Sequence, residues 1–295
     1  LNVSFNCLDV HLAEYGHRTA ILFEGEPGDS RRISYRELHA DVCRFANALK
    51  AQGVRKGDRV VIYMPMVPEA VVAMQACARI GAIHSVVFGG FASVSLASRI
   101  EDAEPVMVVS ADAGSRGGKV VAYKPLLDEA LHLSKHKVGK VLMVDRGLAP
   151  MEKTAGRDLD YAALRERHLD AEVPVTWLDA TAISYTIYTS GTTGRPKGVQ
   201  RDTGGYAVAL AASMKHIFLG NAGETYFSTS DIGWVVGHSY IVYGPLIAGM
   251  ATIMYEGLPI RPDAAIWWSL VEKYKVTSMF SAPTAVRVLK KQDPA

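Results

Sequence analysis

The sequence predicts an α/β protein in which parallel β-sheets are flanked by helices. Three observations support this prediction. Short apolar runs rich in β-branched residues recur along the chain, amphipathic segments with helical spacing separate them, and glycine or proline marks many of the turns between them. Strands that alternate with helices of this length form βαβ units, and both faces of the resulting sheet are covered.

The first alternating segment shows the pattern clearly. Arg59–Met64 is an apolar run and predicts a buried strand. Pro68–Ile80 carries apolar residues at helical spacing, and Gly81 is well placed to end that helix. His84–Phe88 predicts the next strand, with His84 as a structural residue.

The alternation continues to the end of the chain. Further strands are expected at Val106–Ser110, Val141–Asp145, Ile183–Thr189, Thr225–Ser228, Thr252–Tyr255 and Val276–Phe280. Further helices are expected at Ser93–Asp102, Gly205–Phe218, from His238 onwards, Ala264–Tyr274 and Thr284–Lys290. Residues 147–175 are more polar, which predicts a surface excursion and a subdomain boundary there.

Composition excludes several classes of protein. Apolar residues make up 49% of the 295 residues, charged residues 21%, and the net charge is +2, which argues against disorder, a nucleic-acid-binding stripe and a polybasic membrane anchor. Three cysteines without CxxC spacing (Cys7, Cys43 and Cys77) indicate reduced thiols, and the histidines lack metal-ligand spacing. We therefore expect a cytoplasmic protein that binds small molecules, without nucleic acid, membrane or a protein-held metal.

The segment Tyr188–Gly198 reads YTSGTTGRPKG and has the composition of a phosphate-binding loop. Its glycines let backbone N–H groups approach a ligand, its hydroxyls can donate to phosphate oxygens, and Lys197 adds a positive charge. It is not a Walker A loop, because Lys197 is followed by Gly198. Composition alone leaves a flexible surface hairpin equally open. The candidate phosphate-binding residues are Thr189, Ser190, Gly191, Thr192, Thr193, Gly194, Pro196, Lys197 and Gly198.

The same string resembles the signature loop of the adenylate-forming (AMP-binding) superfamily, which includes acyl-CoA synthetases, adenylation domains of peptide synthetases and luciferases. The resemblance implies the large N-terminal domain of that family and ATP-dependent activation of a carboxylate. The acid would attack the α-phosphate to give an acyl-adenylate and pyrophosphate, and CoA would then take the acyl group. The loop would close on the β- and γ-phosphates, with Mg²⁺ bridging them.

A second motif, Ser230–Ser239 (SDIGWVVGHS), is similar to the stretch beside the acyl pocket of short-chain acyl-CoA synthetases. Bulky apolar side chains would wall a small aliphatic tail, while glycines allow close backbone approach. The alternative is an ordinary core turn with a buried tryptophan. The candidate acyl-pocket residues are Trp234, Val235, Val236, Gly237 and His238.

A third motif, Ala111–Lys119 (ADAGSRGGK), brings two cations to a glycine turn. In the acetyl-CoA synthetase branch of the family the equivalent stretch contacts CoA, so the resemblance implies CoA binding by Arg116, Gly117, Gly118 and Lys119. A solvated basic turn is the alternative.

Longer strings resemble the branch of the family that activates acetate and propionate. They include DVCRFANAL (Asp41–Leu49), ACARIGAIHSVVFGGFA (Ala76–Ala92) and YEGLP (Tyr255–Pro259). Strings such as QRDTGGYA (Gln200–Ala207) are most similar to the members that use propionate. Relatives that use acetate tend to carry Thr at the position of Val236 and Asn at that of Ile260. We therefore expect propionate as the acid, with acetate as the alternative.

The family's remaining machinery has no counterpart before Ala295. The resemblance implies that the adenine-contacting motif, the ribose-binding Asp, the hinge, the catalytic Lys and the small C-terminal domain would follow this residue. No residue of the chain is therefore assigned a certain catalytic role, and we expect residues 1–295 alone to be a fragment without ligase activity. A rival of another class is a non-catalytic nucleotide- or CoA-binding module that ends near Ala295.

Overall fold

A computed structural model describes residues 1–169, 172–189 and 196–292. Its strands are β1 (Thr19–Gly25), β2 (Ser30–Ser34), β3 (Arg59–Tyr63), β4 (Ile83–Val86), β5 (Met107–Ala111), β6 (Ala113–Arg116), β7 (Lys119–Ala122), β8 (Val141–Val144), β9 (Asp158–Asp160), β10 (Ile183–Thr189), β11 (Lys197–Asp202), β12 (Thr225–Ser228), β13 (Ala251–Glu256) and β14 (Val276–Phe280).

The helices alternate with these strands. They are α1 (Val10–Tyr15), α2 (Tyr35–Ala51), α3 (Pro68–Ile80), α4 (Ser93–Ala103), α5 (Tyr123–Leu133), α6 (Tyr161–Glu166), α7 (Thr203–His216), α8 (Val235–Gly237), α9 (Gly244–Ile247), α10 (Ile266–Tyr274) and α11 (Pro283–Lys290), with π-helical turns at Phe5–Asp9 and His238–Tyr243.

The described strands form two large sheets and one separate hairpin. The larger sheet has the order β11-β10-β4-β3-β5-β8-β9 and is parallel except for the β10–β11 pair. The second has the order β14-β12-β13-β1-β2 and is parallel except for the β1–β2 pair. Strands β6 and β7 pair only with each other. The α/β class with parallel sheets flanked by helices is therefore confirmed.

The unit β3-α3-β4 shows why the sequence folds this way. Every residue of α3 except Glu69 is buried, so the helix lies in the core rather than on the surface. Gly81 ends it in the left-handed region with φ of 73°, a conformation that favours glycine. The chain then returns in parallel, with Val60 opposite His84. The predicted βαβ unit is confirmed.

Strand β3 divides the core, because its side chains alternate between the two faces of the larger sheet. Val60 and Ile62 belong to the largest buried cluster, which includes much of α2 and α3. Val61 and Tyr63 belong to the cluster that α4 and α5 cover. Cysteines 7, 43 and 77 are buried free thiols, as the sequence predicted.

Three features were not predicted. The N-terminal hairpin β1–β2 adds two strands to the second sheet, and β11 continues from the candidate phosphate loop as an antiparallel edge strand. Residues 147–175 include the unpredicted strand β9, which extends the larger sheet, while the subdomain boundary there stays a prediction. Within the described ranges, none of the helices has the length and apolar character needed to traverse a lipid bilayer.

Candidate functional site

A cleft of about 840 Å³ lies at the carboxyl ends of parallel strands from both large sheets. Its lining segments follow β3, β4, β12 and β13, and it is closed on one side by the β6–β7 hairpin and on another by α11. In open α/β sheets, ligands bind in the crevice outside the carboxyl ends of the strands. The topology therefore makes this cleft the candidate ligand site before any side chain is considered.

Aromatic side chains form one wall of this cleft. The ring of Trp234 lies 5.2 Å from that of Phe88 and 5.8 Å from that of Phe91, measured between centroids. The guanidinium of Arg116 lies 5.1 Å from the centroid of Phe88. The second and third sequence motifs therefore both contact Phe88, a residue that neither motif contains.

The turn that presents Trp234 is held by Asp231 and leaves no room for larger residues. The N–H of Gly233 donates to Oδ1 of Asp231 at 2.8 Å. A Cβ on Gly233 would lie 2.6 Å from Cα of Phe88, and one on Gly237 would lie 2.0 Å from the carbonyl oxygen of Asp231. Burial raises the pKa of Asp231 to about 6, although the Gly233 N–H and Arg116 act in the opposite direction. Glycine is thus a steric requirement at both positions.

The candidate acyl-pocket residues are not all at the cleft surface. Trp234 lines the cleft and is 42% exposed. Val235 is half-buried and Val236 is exposed, and neither contributes to the cleft wall formed by the described residues. Gly237 and His238 are buried behind the wall. A role for the residues after Trp234 in an acyl pocket stays a prediction.

His238 lies in a buried aromatic cluster between the cleft and the larger sheet. Its Nδ1 is 3.3 Å from the carbonyl oxygen of Ile232, and its Nε2 is 3.1 Å from Nε2 of His84. Burial lowers the pKa of His238 to about 3 and that of His84 well below its ordinary value, so both imidazoles are neutral. This pair holds the Trp234 turn to strand β4.

The candidate CoA residues lie on the β6–β7 hairpin, whose tight turn is Gly117-Gly118. Both glycines have positive φ, 64° and 74°, so the turn needs glycine for its conformation. Arg116 lines the cleft, whereas Lys119, its partner across the hairpin, is exposed and is not among the lining residues described. Of the two cations that the sequence predicted for CoA, only Arg116 is therefore among the described residues that line the cleft.

The candidate phosphate segment is partly described. Ser190, Gly191, Thr192, Thr193 and Gly194 lie outside the described residues. On either side of them β10 and β11 form an antiparallel ladder in which Thr189 is opposite Lys197 and Tyr188 is opposite Gly198. Pro196 is half-buried and precedes β11. Phosphate binding by this segment stays a prediction.

The end of β10 lies beside the aromatic wall of the cleft. The guanidinium of Arg99 is 5.8 Å from the ring centroid of Tyr188 and 4.2 Å from that of Phe91. The Tyr188 hydroxyl donates to Asp102 at 2.6 Å, which ties the strand to α4. Arg99 thus bridges the start of the phosphate segment and a residue of the cleft.

Several residues of the site were missed by the sequence analysis. Phe88 and Phe91 lie in the loop between β4 and α4, and Arg99 lies on α4; the signal in this stretch was the glycine pair Gly89-Gly90 between two phenylalanines. Two glutamates that hold the CoA hairpin, Glu26 and Glu256, reach it from remote strands. No local sequence pattern predicts contacts between residues so far apart in the chain.

Comparisons with known proteins identify the family of this chain. The family model described as "AMP-binding enzyme" matches residues 8–295. The chain is 58% identical over 291 residues to propionate–CoA ligase of Escherichia coli (strain K12), covering 98% of this chain and 46% of that protein. It is 61% identical over 271 residues to propionate–CoA ligase of Salmonella typhimurium (strain LT2), covering 92% of this chain and 43% of that protein. It is 49% identical over 290 residues to acetyl-coenzyme A synthetase of Thiobacillus denitrificans, covering 98% and 44%. The chain therefore spans less than half the length of these relatives.

Proposed function

The chain belongs to the AMP-binding enzyme family, and from that premise we propose that it forms part of an ATP-dependent propionate–CoA ligase. In the first half-reaction a carboxylate oxygen of propionate attacks the α-phosphorus of ATP, and pyrophosphate leaves. In the second, the CoA sulfur attacks the acyl carbon of propionyl-adenylate, its proton is lost, and AMP leaves with the bonding electrons. The products are propionyl-CoA, AMP and pyrophosphate.

The observation that supports this proposal is the wall formed by Arg116, Phe88 and Trp234. Arg116, which lies over Phe88, would supply a positive charge for a CoA phosphate. Trp234, which also contacts Phe88, would supply apolar surface for a short acyl chain. A single cleft that offers both surfaces suits the transfer of an acyl group to a phosphorylated thiol.

Residues Thr189–Gly198 would hold the β- and γ-phosphates at the end of β10, beside Arg99 and Phe91. Mg²⁺ is bound in such sites by substrate phosphates, water and one or two carboxylates, so it would arrive with ATP. Among the described residues, no group of three or more His, Cys, Asp or Glu side chains is arranged to hold an ion by itself. Binding through ATP fits that arrangement.

Propionate is proposed over acetate for two reasons. The chain is 58% and 61% identical to two propionate–CoA ligases and 49% identical to the acetyl-coenzyme A synthetase above. Val236 and Ile260 are apolar where relatives that use acetate tend to be polar, but neither is among the described residues that line the cleft, so this second reason rests on the resemblance alone. Propionate has one more methylene than acetate. That methylene is worth roughly 1–3 kcal/mol, so acetate remains a slower substrate. The protein encoded by the whole reading frame should show a higher kcat/KM for propionate, and a higher value for acetate would reverse this assignment.

Residues 1–295 alone are proposed to lack ligase activity, because catalysis here depends on charges placed around the transferring phosphoryl and acyl groups. The test is hydroxamate formation from propionate, ATP and hydroxylamine by the isolated chain, for which no product is expected. Product formation would contradict the proposal. A reading frame that stops after Ala295 would instead favour a nucleotide- or CoA-binding module.

A further inference from the structure

The turn of the candidate CoA hairpin already binds a carboxylate of the protein itself, that of Glu26. The N–H of Gly117 donates to Oε1 of Glu26 at 3.1 Å, and the N–H of Gly118 donates to its Oε2 at 2.6 Å. Successive N–H groups in a positive-φ turn form a concavity that binds anions. Glu26 lies after β1, in the hairpin of the second sheet, 91 and 92 positions away from the two glycines.

Further contacts make this arrangement part of a network. The N–H of Leu258 donates to Oε1 of Glu26 at 3.3 Å, so one carboxylate joins the β1–β2 turn, the CoA hairpin and the segment after β13. The N–H of Ser115, earlier in the same hairpin, donates to Oε1 of Glu256 at 2.9 Å. Arg146 holds Glu256 through two contacts of 2.7 Å. Two carboxylates from outside the hairpin thus accept hydrogen bonds from its N–H groups at positions 115, 117 and 118.

The consequence concerns how the hairpin can bind a ligand. Phosphate oxygens of CoA cannot accept from Gly117 and Gly118 while Glu26 holds both N–H groups. The side chain of Arg116 remains, and it lies over Phe88 at the cleft. Its position depends on the turn that follows it, since Arg116 ends β6 immediately before Gly117.

We propose that Glu26 is a positioning residue for CoA binding: it fixes the Gly117-Gly118 turn and thereby holds the Arg116 guanidinium at the cleft. The role rests on the proposed ligase function. On this proposal the two glycines determine the conformation of the hairpin, and Arg116 contacts the phosphate of CoA. The alternative is that a CoA phosphate displaces the Glu26 carboxylate from the N–H groups of Gly117 and Gly118. The two hypotheses predict opposite changes in KM for CoA when Glu26 is removed.

The test uses the protein encoded by the whole reading frame and compares Glu26→Ala, Glu26→Gln and Asp29→Asn. Asp29 lies in the same β1–β2 turn, is exposed, and its carboxylate has no hydrogen bond to the residues described, so it is the matched control. Two readouts separate the half-reactions: KM for CoA in propionyl-CoA formation, and propionate-dependent exchange of pyrophosphate into ATP, which needs no CoA.

Positioning predicts that Glu26→Ala raises KM for CoA about tenfold, because charge-assisted hydrogen bonds are lost from the turn. Glu26→Gln should give a smaller rise, since it keeps one acceptor, and exchange should stay close to wild type for both. Asp29→Asn should change neither readout. The result is a KM effect confined to the CoA half-reaction, which general damage to the fold would not give.

An unchanged KM for CoA in active Glu26→Ala overturns the positioning role, and a lowered KM shows instead that Glu26 competes with CoA. Parallel loss of exchange and of CoA turnover also overturns it, because the effect is then general. If the wild-type protein catalyses exchange or binds CoA but forms no propionyl-CoA, the proposed ligase function itself is wrong. The two failures are therefore distinguishable.

Discussion

Nε2 of His84 lies 3.1 Å from Nε2 of His238, and both imidazoles are fully buried. Only one proton can lie between these nitrogens without repulsion. Nδ1 of His238 faces the Ile232 carbonyl, so we assign that ring's proton to Nδ1. Nε2 of His84 then donates to Nε2 of His238 and also faces the Tyr243 hydroxyl oxygen, 3.1 Å away, which can only accept there. Nδ1 of His84 has no hydrogen-bond partner among the described residues, which suits a bare lone pair. The assignment gives two neutral histidines behind the Trp234 turn.

The histidine pair predicts loss of stability in acid. Burial lowers the folded-state pKa of His238 from 6.5 to about 3, and burial with the charge of His238 lowers that of His84. A base with a lowered pKa contributes stability that is complete above 6.5 and is lost as the pH falls, because only the unfolded state takes the proton. His238→Gln should reduce the dependence of unfolding free energy on pH by up to about 1.4 kcal/mol per pH unit.

Urea unfolding of the whole protein at pH 7 and pH 5 checks this expectation. His216→Gln is the matched control, because His216 is exposed at the end of α7. Equal pH dependence in wild type and His238→Gln would contradict the neutral pair.

Gly237 should tolerate no side chain, because a Cβ there would lie 2.0 Å from the carbonyl oxygen of Asp231, a backbone atom that cannot rotate away. Gly237→Ala should lower the free energy of unfolding by about 2 kcal/mol or more. Gly139→Ala is the control, since a Cβ at Gly139 meets nothing within 4 Å. Denaturant midpoints of the two variants provide the measurement, and matching midpoints would show that the Asp231 turn is not sterically constrained.

Arg116 and Lys119 should differ in their effect on CoA, although they are partners across one hairpin. Arg116 lines the cleft and Lys119 does not, so Arg116→Ala should raise KM for CoA about tenfold by removing one charge-assisted phosphate contact. Lys119→Ala should leave KM close to wild type. Initial rates at varied CoA concentration give KM for each variant. A larger rise in KM for Lys119→Ala than for Arg116→Ala would indicate that CoA binds outside the cleft.

Lys197 should act in the first half-reaction rather than in the second. If residues 189–198 hold the β- and γ-phosphates, Lys197→Ala should lower propionate-dependent pyrophosphate exchange about a hundredfold, as expected for a lost charge contact to the leaving pyrophosphate. Lys215→Ala should not change it, because Lys215 is an exposed residue near the end of α7. Transfer to CoA from supplied propionyl-adenylate should be nearly normal in Lys197→Ala. Exchange at the wild-type rate would remove the phosphate role of this lysine.

The alternation of strands and helices was predictable because it depends on local pattern. The bounds of β12 and β14 and of α3 agree with the predicted ones, since apolar spacing and Gly81 encode them directly. The cleft wall was predicted in part: Arg116 and Trp234 were found from their motifs, but Phe88 between them was not. Glu26 was missed because its partners are backbone N–H groups on a remote hairpin. Because nearly every residue has a backbone N–H group, the sequence does not show which of these groups a given carboxylate accepts from.

The most direct test of the ligase assignment is one experiment on the protein encoded by the whole reading frame. Propionate, ATP, Mg²⁺ and CoA are supplied together, and propionyl-CoA, AMP and pyrophosphate are measured. The account predicts equal amounts of the three products, with pyrophosphate exchange continuing when CoA is omitted. Formation of ADP and phosphate, or no exchange without CoA, would contradict an acyl-adenylate route. It would therefore also contradict the assignment of this protein as an AMP-forming propionate–CoA ligase.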